Sequence, residues 1–323
     1  MPLPSPFHRL QSVAARPLVR NVLKVSTGNL VGNAFNFVAL ALLSATLDPG
    51  PRGLFTSMQA AMMLMATLAD FGINTTIIKY YRDPEASGGR GNAEALMRRA
   101  LWLRLTVAGV MAAVAALFAR PLCAFWLDDP DVASLFRLIC LGALGSAIWM
   151  YCQAAMQARQ QFGWYALLTI ANHALRLALF GALVAMQRMA VAPAVVVLMA
   201  VPFAGSIGAA LLWPREFWRA HMSPRRMAVQ TRRILAFSRW IFLSNIIVAV
   251  IMRLDVLLLS YLTEDTEVGQ FGNAYDLAQG FPLLTMALST VLLPRLAATR
   301  NRAEMQRIVR IFLHAVPLMV AAV

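Results

Sequence analysis

Apolar positions in this chain run together in blocks of about 20 residues instead of alternating with polar ones. That is the length a helix needs to cross a bilayer's hydrocarbon core. The blocks predict membrane helices at roughly 26–46, 54–78, 101–119, 133–157, 164–186, 191–212, 239–261, 268–293 and from 308 onward. A backbone crossing lipid must satisfy its own hydrogen bonds, so the expected fold class is all-α, a polytopic membrane helix bundle. The first block follows about two dozen polar and basic residues and exceeds a signal-peptide core in length, so it is expected to be an uncleaved span. The ninth stops inside Leu313–Val323 without a polar flank. A finished span reaches an interfacial anchor, so the chain is expected to be an incomplete copy of a longer protein.

The helices are not independent of one another. Ser44–Tyr81 aligns without gaps on Ser260–Ala297, setting Gly53-Leu54-Phe55 on Gly269-Gln270-Phe271. The offset spans six helices, an even number that preserves orientation. It predicts two parallel six-helix lobes related by an internal repeat, the second truncated. The expected organisation is a cytoplasmic N-terminal segment (1–25), a six-helix N-terminal lobe (26–212), a basic cytoplasmic linker (213–238) and an incomplete C-terminal lobe (239–323).

Composition agrees: 59% of the 323 residues are apolar and 14% charged, against about a quarter charged in soluble domains. A soluble globular enzyme is excluded. The net charge of +14 would ordinarily raise nucleic acid as a partner, but the basic residues sit between the apolar blocks. Twenty-three lie on the side of the N-terminus, Arg104 among them, and the opposite loops offer Arg52, Arg120 and Arg188 beside Asp128, Asp129, Asp131, Glu264, Asp265 and Glu267. The positive-inside rule places the N-terminus in the cytoplasm. The basic loops suit anionic membrane lipids, and no nucleic acid is expected.

Cys123, Cys140 and Cys152 form no CxxC pair, so they are expected to be buried free thiols and not a disulfide framework or metal site. No P-loop occurs, and the longest outer loop, around Arg120–Ala133, has no His, Ser or glycine-rich cradle for group transfer. No cofactor, metal or catalytic residue is expected, and the chain should move something without transforming it.

Ionisable groups inside a membrane helix cost roughly 2.5–3.5 kcal/mol each on insertion scales and usually face a bundle interior or wet cavity. Arg176 lies near the middle of its span, with Asn172 and His173 on the same helical face. This stripe either holds a phosphate through the planar guanidinium or ties the bundle together through a carboxylate or carbonyls. Arg253 and Asp255 stand about 200° apart on a helix, so one faces the cavity and the other a neighbouring helix or the interface; Arg253 is preferred for the cavity. Asp70 and Asp276 either bind a coupling proton or sodium ion or serve as helix-capping or helix-pairing groups.

Leu68-Ala69-Asp70-Phe71-Gly72-Ile73 resembles the end of helix two in Wzx-type lipid-linked oligosaccharide flippases. So do Arg253-Leu254-Asp255-Val256-Leu257-Leu258-Leu259, Val268-Gly269-Gln270-Phe271-Gly272-Asn273-Ala274-Tyr275 and Leu293-Pro294-Arg295-Leu296. These belong to the polysaccharide branch of a superfamily that also holds multidrug and toxin extruders. The resemblance implies two lobes around a cationic cavity that alternates between the faces of a bacterial inner membrane. Its implied substrate is a polyprenyl-diphosphate-linked oligosaccharide repeat unit for O-antigen, capsule or exopolysaccharide. A polysaccharide polymerase and a chain-length regulator are implied partners. Arg253, Asp255 and Asp70 fall on matching motif positions, whereas Arg176 rests on its burial in the span alone. Two alternatives stay open: an organic-cation extruder, which needs a carboxylate-rich cavity, and a membrane glycosyltransferase or polymerase, which needs a large outer loop.

Overall fold

The computed structural model describes residues 15–81, 90–219 and 223–278. They form α1 (Ala15–Thr46), α2 (Pro49–Leu68), α3 (Ile73–Tyr80), α4 (Arg90–Leu117), α5 (Ala119–Trp126), a 3-10 turn at Pro130–Val132, α6 (Ala133–Ala158), α7 (Phe162–Ala185), α8 (Val191–Leu211), α9 (Arg215–Arg219), α10 (Pro224–Leu262) and α11 (Asp265–Ala278). No strand occurs among the described residues. Among the described residues, five helices are long and apolar enough to cross a membrane, six if the bent pair α2–α3 is one span. The ninth predicted span and the second half of the eighth lie outside the described residues.

One expectation is corrected. The second span is not one helix over 54–78 but breaks after Leu68, with a bend of 42°. Phe71 (φ 47°) and Gly72 (φ 70°) both take left-handed backbone there, a conformation that ends a right-handed helix and favours glycine. Asp70 then starts α3, its carbonyl accepting from the Ile73 amide (2.9 Å) and its carboxylate from the Asn74 amide (3.2 Å). The segment expected as a linker is mostly helix, because α10 runs unbroken from Pro224 through the seventh span. Gln230, Ile234, Phe237 and Ser238 give it an inward face at helical spacing, which the intervening arginines hide from a hydropathy count. Ile234 and Phe237 pack with Tyr80 and Leu96.

The repeat is visible in the helix boundaries. α1 ends at Thr46 and α10 at Leu262; α2 begins at Pro49 and α11 at Asp265. Both intervals equal the 216-residue offset (46 to 262, 49 to 265). α2 packs along α11 and α10, and α11 also reaches α1, so first-repeat helices meet second-repeat helices at one seam. At its centre a Cβ on Gly53 would run into the Asp265 carbonyl, and a Cβ on Gly269 into the Pro49 carbonyl. The contact is reciprocal, as a two-fold relation requires. No side chain larger than hydrogen fits at either position.

The other described helices pack side by side. Gly28 and Gly32 let α1 lie against α7, where an added Cβ would meet Ala166 at 2.6 Å and His173 at 2.9 Å. α6 is the central helix, packed by α2, α3, α4 and α8. The largest apolar cluster joins α1, α2, α6 and α8 through residues such as Leu43, Phe55, Ile139 and Leu198. All three cysteines are buried and free.

Candidate functional site

Where the two repeats meet, the helices leave a polar cavity of about 250 Å³. α7 contributes Asn172, His173 and Arg176; α1 adds Asn36, α2 Thr56 and Gln59, and α11 Tyr275 and Asp276. The sequence stripe on α7 thus lines one space. It points inward because its neighbours Ala171 and Leu175 face outward, leaving the polar residues the inner arc.

Arg176 is 6% exposed. One of its terminal nitrogens donates to the Asn36 side-chain oxygen at 2.7 Å, its Nε has no partner in the described structure, and no described carboxylate pairs with it. His173 Nδ1 and the Ser146 hydroxyl, both at this cavity, are likewise unpartnered. Asn172 is held by donating to the Val201 carbonyl at 2.9 Å, and Gly205 makes room for it beside Trp149. An ionised group out of water costs several kcal/mol unless paired, and a guanidinium carries five fixed donors. The site therefore offers an uncompensated positive charge and spare hydrogen-bonding capacity to an anion.

Asp276 reaches the same cavity, but its charge is matched. It forms an ion pair with Arg52 of α2. That guanidinium is 1% exposed and also bonds Thr56 at 3.0 Å and Ser44 and Asn273 at 3.3 Å. The pair crosses from first repeat to second. Subtracting the offset from Asp276 gives Ala60 and adding it to Arg52 gives Val268, and these two lie in one small apolar cluster. The seam is symmetric in shape and asymmetric in charge.

Asp70 lies away from the cavity. It pairs with Arg104 of α4 and accepts from Asn245 of α10 at 3.2 Å, while Arg104 also donates to the Ala147 carbonyl at 2.7 Å. A second seam contact follows alongside, where Phe71 stacks on Phe242 with centroids 4.3 Å apart and Thr76 bonds Ser238 at 2.9 Å. Asp255 is exposed and its carboxylate accepts from the Val256 amide at 2.8 Å. The side chain of Arg253 lies outside the described residues.

At the basic end of the bundle, Arg159 just past α6 grips Glu94 with two bonds of 2.6 and 3.1 Å. Tyr81 donates to the same carboxylate at 2.7 Å. Burial first, then that carboxylate, push the Tyr81 hydroxyl up to about 12.

Reading the sequence alone missed Asn36, Arg52 and Arg104. Arg52 was counted with an outer loop and Arg104 with a basic one, because each stands within a turn or two of a polar connection. The signal available was helical phase: Arg52 lies four residues before Thr56, and Asn36 is a polar residue within the first apolar block.

A family model described as "Polysaccharide biosynthesis protein" matches residues 18–300. No curated protein matches. Among solved structures, a MOP superfamily transporter from Pyrococcus furiosus is similar at 13% identity and TM-score 0.55, over 85% of this chain and 69% of that one. Its description says that reverse polarity of the binding pocket suggests a different function. A MATE structure in complex with Br-NRF matches at 13% identity and TM-score 0.55, over 90% of this chain and 74% of that one. A MATE in complex with MaD3S matches at 14% and 0.56, over 85% and 70%. At these identities the likeness is one of fold alone, shared with these transporters.

Proposed function

The chain belongs to the polysaccharide biosynthesis protein family, matched over residues 18–300, and on that basis we propose that this membrane transporter is a flippase for polyprenyl-diphosphate-linked oligosaccharides. It moves repeat units from the cytoplasmic to the outer leaflet of a bacterial inner membrane, for assembly of O-antigen, capsule or exopolysaccharide. The single observation that carries this reading is Arg176, buried at the cavity with no described carboxylate to pair it.

A diphosphate cannot cross hydrocarbon unaided, because an unpaired ion in an apolar medium is far too costly. A cavity with a guanidinium and amide and hydroxyl groups substitutes for its hydration. The Arg52–Asp276 pair and the Gly53–Gly269 contact close the seam at the acidic end of the bundle, and their opening would release the headgroup there. The distribution of basic residues supports a cytoplasmic N-terminus and, with it, an outer position for that end. An inside-negative potential favours the outward movement of an anion by about 2.3 kcal/mol per charge per 100 mV.

A cation extruder would place an uncompensated carboxylate at the cavity, whereas Asp276 there is ion-paired. Reconstitution into liposomes carrying a polyprenyl-diphosphate oligosaccharide tests the proposal. The expected result is labelled lipid in the opposite leaflet at a rate that falls at least about tenfold in Arg176→Ala. Translocation of an organic cation and not of the lipid would overturn it.

A further inference from the structure

A second cationic concavity lies at the basic end of the bundle, separate from the central cavity. It is a groove of about 810 Å³ between α4 and α10, walled by Arg99, Arg232 and Arg239 over an apolar floor that includes Met227 and Leu235. Arg232 and Arg239 are seven residues apart on α10, two helical turns, and so share a face with Leu235 between them. All three arginines are exposed, and no carboxylate lines the groove among the described residues. The Thr231 hydroxyl also lines it and is buried without a partner. Arg239 is held over the Trp240 ring at 5.3 Å, and that tryptophan is itself largely exposed, as an interfacial anchor is.

These features suit a ligand with two parts: a headgroup of more than one negative charge for three guanidiniums and a hydroxyl, and hydrocarbon for the floor. We propose that this groove is a docking site for the diphosphate headgroup of a polyprenyl lipid, occupied before the headgroup reaches Arg176. The inference rests on the proposed flippase function for its ligand, and on the groove's own chemistry for its place. α10 connects the two sites, since Val256 lines the central cavity and stands 17 residues beyond Arg239, about 25 Å along a helix. An ordinary phospholipid diester carries one negative charge and would engage the three arginines less completely.

The test is equilibrium binding of polyprenyl diphosphate to the protein in nanodiscs of zwitterionic phosphatidylcholine. The variant Arg232→Gln/Arg239→Gln should bind about thirtyfold more weakly, about fivefold per basic residue removed. Arg120→Gln/Arg188→Gln removes the same charge at exposed positions past the opposite ends of α4 and α7, away from the groove. At physiological salt, charges beyond about 8 Å are screened, so this variant should stay within about twofold of the wild type. Phosphatidylglycerol at equal mole fraction should bind at least about tenfold more weakly than the diphosphate lipid. Equal losses in both variants, parity of phosphatidylglycerol, or inorganic diphosphate binding as tightly as the lipid would overturn the site. Binding does not require transport: a protein that translocates no lipid yet shows these differences retains the site, and one that translocates lipid without them lacks it.

Discussion

Gly53 of α2 and Gly269 of α11 meet backbone to backbone, so close that a Cβ on Gly269 would lie 3.1 Å from the Gly53 amide nitrogen. The two are repeat equivalents, and each also abuts the first residue of the other's helix. Close approach of two backbones needs small residues, and a packed interior does not yield to a wedge.

Gly53→Val should therefore hold the seam apart. Overpacking costs about 1–3 kcal/mol, and surface polysaccharide export should fall at least about tenfold with protein still present in the membrane. Gly181→Ala is the control, since nothing lies within 4 Å of a Cβ there. Wild-type export in Gly53→Val, measured by immunoblot of surface polysaccharide, would refute the contact.

Arg176→Lys and Arg176→Ala should separate charge from shape. A lysine keeps the charge but loses the planar donor array, so Arg176→Lys should retain partial export and Arg176→Ala almost none. The readout is export normalised to membrane protein. Equal loss in both would assign the role to the planar donors alone, and no loss in either would remove Arg176 from the site.

Asp70 and Arg104 are a buried pair tying the break between α2 and α3 to α4. Removing one partner leaves an uncompensated charge, with a cost of about 3–5 kcal/mol. Asp70→Ala should lower the thermal midpoint of detergent-purified protein sharply, and Asp70→Leu/Arg104→Met should recover most of it. A double variant no better than the single would show that the geometry of the pair is itself required.

Tyr81 makes stability depend on alkaline pH. Its hydroxyl is raised from 10 to about 12 by burial and then by Glu94. A group raised on folding contributes stability that is whole below its unfolded value and is lost as pH rises through the folded one. The thermal midpoint should drop between about pH 10 and 12 by more in the wild type than in Tyr81→Phe. Parallel curves would contradict the assignment.

Much of this was legible in the sequence because membrane helices announce themselves by length. The first six predicted spans correspond to described helices long and apolar enough to cross a membrane, the α2–α3 pair taken as one, the seventh and eighth fall on α10 and α11, and the repeat offset read from Gly53 and Gly269 recurs in the helix ends. The polar stripe Asn172, His173 and Arg176 could be placed on one face by helical spacing alone. What the sequence hid was pairing. Nothing in a one-dimensional pattern tells that Arg52 reaches Asp276 across more than 200 residues, or that Arg104 turns inward to Asp70. The break at Phe71-Gly72 was hidden for another reason: an apolar run continues through it, and hydropathy carries no dihedral information.

The central claim is tested most directly by labelled lipid extracts from cells deleted for the gene that carries this chain, assayed for access of an outer-face enzyme to polyprenyl-diphosphate oligosaccharide. The account predicts completed repeat units trapped on the inner leaflet, reached by that enzyme only after the membrane is permeabilised. Normal delivery to the outer leaflet, or accumulation there without polymerisation, would contradict it.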